Sequence, residues 1–146
     1  MGKLEFITTS RLSPEKLFNY ILDFEYYPNY FPMQIKSVKI LEHTNNEILT
    51  EEKIVFSTLL QNVIDQKSKH TKISDNHMTT EITEGPAKGS IVNIICNKTE
   101  SGSTITFTID LKLSLKAKFL EPLIKKLYKR YLLALVLKMN NRELAK

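Results

Sequence analysis

The chain has 146 residues, 42% hydrophobic and 25% charged, with 21 Lys and Arg against 16 Asp and Glu for a formal net charge of +5. That length suits one domain spanning residues 1–146, and the balance excludes collagen-like, coiled-coil and wholly disordered chains. One cysteine rules out an internal disulfide, no basic start leads into an apolar signal core, and the longest apolar run covers only residues 131–137, so a cytoplasmic chain is expected rather than a secreted or membrane-spanning one.

The charge is localised. Residues 121–146 carry seven basic and two acidic side chains, whereas residues 1–120 balance at 14 of each. Any attraction to an anionic partner therefore rests on one C-terminal segment.

In chain order, Leu4, Phe6 and Thr8-Thr9 read as an opening strand. Ser13-Pro14-Glu15-Lys16 then supplies a capping hydroxyl, a proline at the first helical position and an acid in the first turn. Leu17, Tyr20 and Ile21 give that helix one apolar face. A second short helical segment is bracketed by Pro28 and Pro32, and residues 24–31 hold five aromatics in eight positions.

Six strands are predicted next, over residues 35–42, 47–56, 60–73, 78–84, 90–99 and 104–117, separated by turn-forming clusters. In the last, Ile105, Phe107, Ile109, Leu111, Leu113 and Leu115 alternate with polar residues, which predicts an antiparallel sheet covered on one face. A helix from Pro122 to about Arg142 carries the stripe Leu123, Leu127, Tyr131, Leu135 and Met139, widened by Tyr128. The helix and the sheet face can cover one another.

This order, with Ser13-Pro14-Glu15-Lys16-Leu17-Phe18, Asp23-Phe24-Glu25-Tyr26-Tyr27-Pro28 and Gly85-Pro86-Ala87-Lys88-Gly89-Ser90, resembles the START/Bet v1-like (helix-grip, SRPBCC) superfamily. Within it, the polyketide cyclase/dehydrase and coenzyme-Q-binding START-like families look closest. The resemblance implies an α+β helix-grip fold: a seven-stranded curved antiparallel sheet wrapped around a long C-terminal helix, with two short helices after the first strand. It also implies a cavity between sheet and helix for a lipid, quinone or polyketide-like molecule. One helix about 10–12 Å across cannot by itself fill the hollow of a curved sheet, though large side chains can close what remains into a solid core.

HExxH, CxxC, P-loop and GxGxxG patterns are missing, so no metal or cofactor is expected. His43 and His77 sit at turns and read as solvated; His70 shares strand parity with Ile64 and Leu60 and can face inward. Glu51 and Glu52, adjacent on a strand, point to opposite faces and form no catalytic dyad. Glu52 shares a face with Ile54 and Phe56, and reads either as a polar anchor in the cavity or as a strand-edge carboxylate paired with a lysine.

Candidate ligand contacts follow from alternation. They are Glu52, Ile54 and Phe56 on one strand, Asn62 and Ile64 on the next, and Met78, Thr80 and Ile82 on a third. Ile94 and Cys96 join them, with Phe107, Ile109 and Leu111 on the last strand. Leu127, Tyr128, Tyr131 and Leu135 face them from the helix. Tyr26, Tyr30, Phe31 and Met33 form an aromatic lip, or else a plug for the sheet end; the loop at Pro86 is a hinged gate or an ordinary hairpin turn. Glu52, Asn62, Thr80 and Tyr131 are the polar members that would set ligand identity.

The expected activity is binding or transport of a hydrophobic small molecule, with no catalytic residue assigned. A cyclase or dehydratase using Glu52 or Tyr131 as its acid is the alternative, and a membrane-associated quinone or lipid chaperone is another. Lys125, Lys126, Lys129 and Arg130 read as a solvated face or as a peripheral contact with anionic membrane; nucleic acid is not expected.

Overall fold

In the computed structural model, which describes residues 2–55 and 63–146, the chain opens with β1 (Lys3–Ser10), α1 (Pro14–Ile21), a 3-10 turn (Phe24–Tyr26) and α2 (Tyr27–Tyr30). Six strands follow: β2 (Ile35–His43), β3 (Glu47–Ile54), β4 (Ile64–Ser74), β5 (His77–Glu84), β6 (Ile91–Thr99) and β7 (Gly102–Asp110). A 3-10 turn (Lys118–Leu120) leads into the long α3 (Glu121–Leu144). Phe56, Asn62 and the strand ends expected near them lie outside the described residues.

The strands form one sheet in the order β1-β7-β6-β5-β4-β3-β2, antiparallel throughout. This is the helix-grip architecture, α+β, with two short helices after the first strand and a long helix at the end. Register shifts in the β2/β3 and β4/β5 pairings bend the half of the sheet that β2–β5 make.

Local signals explain the helices. Ser13 Oγ accepts the Lys16 N–H at 3.3 Å and Pro14 occupies the first turn of α1, whose Leu17, Tyr20 and Ile21 are buried. Glu121 and Pro122 open α3, which buries Ile124, Leu132, Leu135, Val136 and Met139. Leu137 remains 59% exposed, so α3 carries apolar residues outside its buried stripe as well.

The last strand is shorter than its alternation predicts. It ends at Asp110, because both neighbours end there: Asp110 pairs with Lys3 of β1 and with Ile91 of β6. Beyond it the chain has no strand to pair with, and Leu115 is exposed instead of buried. The segment is held otherwise, by Lys112 N–H donating to Ser90 Oγ at 2.8 Å and Ser114 N–H donating to Pro86 O at 2.8 Å.

The concave face divides in two. Across β5, β6, β7 and β1, Met78, Ile94, Phe107 and Phe6 form one cross-strand row, and Cys96 pairs with Ile105 in the next; all are buried. The Phe6 and Phe107 rings stack at 5.0 Å. Across β3, β4 and β5 the inward positions include a polar patch: Thr50 opposite Ser68, Glu52 opposite Gln66, and His70 opposite Thr80, with Ile48, Ile54 and Ile82 beside it.

Candidate functional site

A cavity of about 350 Å³ lies over the polar half of the face. Its floor is Thr50, Glu52, Gln66, Ser68, His70 and Thr80; Leu127, Tyr128, Tyr131 and Ala134 of α3 roof it. Ile35, Val38, Ile54 and Ile82 contribute apolar wall, and Phe31 and Tyr27 close the side next to α2. The space exists because Thr50 and Ser68, 1% and 2% exposed, are too short to reach the helix above them.

The floor is one hydrogen-bonded assembly. Glu52 accepts from Ser68 Oγ at 2.6 Å, Thr50 Oγ1 at 2.8 Å and Gln66 Nε2 at 3.2 Å. Since the Thr50 hydroxyl proton goes to the carboxylate, Thr50 Oγ1 must accept from His70 Nε2–H across 2.9 Å. His70 Nδ1 then accepts from Thr80 Oγ1 at 2.7 Å, which makes the imidazole the neutral Nε2–H tautomer. Phe24 stacks on that ring at 3.9 Å.

Burial sets the protonation of this site. It raises Glu52 above the ordinary carboxylate range against the lowering effect of Ser68, Gln66 and Thr50, and it pushes His70 down to about 3. Burial also pushes the Tyr128 phenol up to about 12 and Tyr131 well above its ordinary value, with Glu52 adding to both, so each stays neutral at physiological pH.

Linkage fixes the signs. His70 contributes fully to stability above its unfolded value near 6.5 and loses that contribution as pH falls toward 3. Glu52 contributes most below the ordinary carboxylate range and loses that contribution as pH rises through its raised value. Glu52→Gln, which keeps an acceptor for Ser68 and lets Thr50 accept from the new amide while turning its own hydroxyl to His70, is expected to be more stable than wild type by about 1 kcal/mol at pH 7. The gain should disappear by pH 4 in urea unfolding at the two pH values; an equal or larger gain at pH 4 would contradict the buried-charge account.

Of the residues singled out in sequence, Phe31, Glu52, Ile54, Thr80, Ile82, Leu127, Tyr128 and Tyr131 are brought together around this space. Met78, Ile94, Cys96, Phe107, Ile109, Leu111 and Leu135 face inward but pack in the solid half of the core. Burial there pushes the Cys96 thiol up to about 12. Ile64 opens β4 half-buried opposite Ile54, away from the cavity wall.

Three expectations need correction. Met33 is 73% exposed and is not among the residues that line the cavity. Pro86 sits in a tight turn closed by Gly89 N–H to Ile82 O at 2.8 Å, with Gly85 and Gly89 at positive φ, so the loop is a hairpin connection off the cavity wall. Tyr26 and Tyr30 serve α3 instead: the Arg142 guanidinium lies 3.5 Å from the Tyr26 ring centre, and its Nη1 donates to Tyr30 Oη at 3.1 Å and Asp23 Oδ2 at 3.0 Å.

Thr50, Gln66, Ser68 and His70 are not among the sequence candidates for ligand contact. Strand parity holds the signal, since residues 64, 66, 68 and 70 share a face. Arg130, expected on a basic outer face, borders the cavity while remaining exposed.

A family model described as polyketide cyclase / dehydrase and lipid transport matches residues 11–139, most of the chain. The chain belongs to that family. Among solved structures, it superposes on the Thermus thermophilus protein TTHA0849 with TM-score 0.81 at 14% identity over 98% of this chain and 97% of the other. A START superfamily protein from Mycobacterium smegmatis gives 0.76 at 18% identity over 96% and 95%. The Zhui aromatase/cyclase from Streptomyces sp. R1128 gives 0.79 at 12% identity over 96% and 94%. No curated protein matches the chain in sequence. Identities this low establish a shared fold.

Proposed function

We propose that the protein binds one apolar or amphipathic small molecule in this cavity, with its greasy body under α3 and its oxygen-bearing groups over the β3–β5 floor. One observation carries the reading: an unfilled space of about 350 Å³, within the usual range of ligand pockets, joins an aromatic roof to a floor whose polar groups are already organised. Burying about 400 Å² of apolar ligand surface yields roughly 10 kcal/mol gross, and association consumes about 4–15 kcal/mol, so polar contacts decide which guest is retained. The Tyr128 and Tyr131 phenols make no hydrogen bond to a described residue and can donate to a carbonyl or accept from a hydroxyl.

The family description, which includes lipid transport, supports this reading. A second reading, cyclase chemistry of the kind named for the Zhui protein or the dehydrase chemistry in the family description, is favoured by the raised Glu52 carboxyl, a group that holds its proton to higher pH than an ordinary carboxylate.

Native mass spectrometry of the purified protein tests the main reading. A bound mass that organic extraction removes is expected, as is displacement of an apolar fluorescent probe by the extract. Bare chain that also fails to take up the probe would overturn it.

A further inference from the structure

We infer that the end of the molecule around the cavity mouth is a docking surface for a bilayer carrying anionic headgroups. Antiparallel pairing places the start of β2, the end of β3, the start of β4, the end of β5, the start of β6 and the end of β7 at one end of the sheet. The cavity reaches that end through Gln34 and Ile35, Ile54 and Val55, and Gln66, which line it there. Among the described residues, the large apolar side chains left in water at the same end are Met33 (73% exposed), Val63 (53%), Leu115 (90%) and Phe119 (78%). A leucine and a phenylalanine so exposed on adjoining turns form an apolar tip that the described residues leave uncovered.

The charge around the tip is predominantly positive. Lys36, Lys88, Lys112, Lys116, Lys118 and Lys126 are exposed there, and none is in an ion pair with a described residue. The acids nearby are mostly neutralised: Asp65 pairs with Lys53, Glu84 with Lys67 and Glu121 with Lys125, leaving Asp110 as the exception. The tip is also fixed in place, because the chain after β7 bonds to Pro86 O and Ser90 Oγ.

Apolar side chains that protrude through a ring of lysines match the order of groups in an anionic bilayer, phosphates outside and acyl chains beneath. A nucleic acid would use the lysines and leave Leu115 and Phe119 in water. The surface does not depend on what the cavity holds, although a guest leaving a membrane would meet the mouth directly.

Vesicle co-sedimentation tests the inference. The wild-type chain should pellet with vesicles containing about one-third phosphatidylserine, stay in solution with phosphatidylcholine alone, and be released by high salt. Leu115→Ser/Phe119→Ser should weaken pelleting at least about tenfold, and Lys116→Glu/Lys118→Glu should do the same. Both doubles should unfold at the wild-type temperature, since all four side chains are exposed. Three results would overturn the assignment: no pelleting with anionic vesicles, pelleting indifferent to both variants, or a concentration-dependent dimer that Leu115→Ser/Phe119→Ser abolishes.

Discussion

Ala134→Trp is expected to weaken binding of an apolar probe by at least about a hundredfold while leaving the protein as stable as wild type or more so. Ala134 is the smallest side chain in the α3 roof, half-buried and facing the Thr50, Ser68 and Thr80 floor. A cavity of about 350 Å³ is near the lower limit for holding a ligand, so an indole added to its roof removes most of the usable room. A hundredfold loss corresponds to about 3 kcal/mol of binding. Filling an empty space commonly adds about 0.5–2 kcal/mol to stability, so the two readouts should move in opposite directions. Probe titration and thermal unfolding on one preparation measure both, and an unchanged probe affinity would place the binding site elsewhere.

Phe107→Ala should do the reverse of this in the other half of the core, costing about 3–5 kcal/mol of folding stability. Phe107 is 2% exposed on β7, flanked in its row by Ile94 and Phe6, and its ring stacks on Phe6. At about 2–4 °C per kcal/mol for a chain of this size, the melting temperature should fall by about 10 °C. Leu137→Ala, on the exposed side of α3, serves as the control and should stay within about 0.5 kcal/mol. A Phe107→Ala loss no greater than the control would mean that the packing here is far looser than the geometry indicates.

How far the sequence could be read differs between fold and cavity. Strand alternation is a local property, so the faces of β7 and the helix start at Ser13-Pro14 are legible from neighbours alone. Alternation tells which way a side chain points, not how far the opposite layer stands from it. Phe107, Ile94 and Leu135 thus face inward, yet lie where α3 closes on the sheet instead of where it stands off. Ser68 and Gln66 are hard to see because polar residues are ordinarily read as outward, even when parity with His70 says otherwise. Tyr30 could not be connected to Arg142 at all: the two are 112 positions apart, and the bond between them exists only once α3 has docked.

The division of the concave face has an evolutionary corollary. Where Met78, Ile94 and Phe107 interlock, nearly every exchange is punished by lost cohesion. Thr50, Ser68 and Thr80 border vacant volume, so a swap there that keeps the hydrogen bonds to Glu52 and His70 alters the room offered to a guest without opening a hole in the packing. A lineage carrying this partition can retune its guest preference on three short side chains separately from the packing that holds the scaffold together.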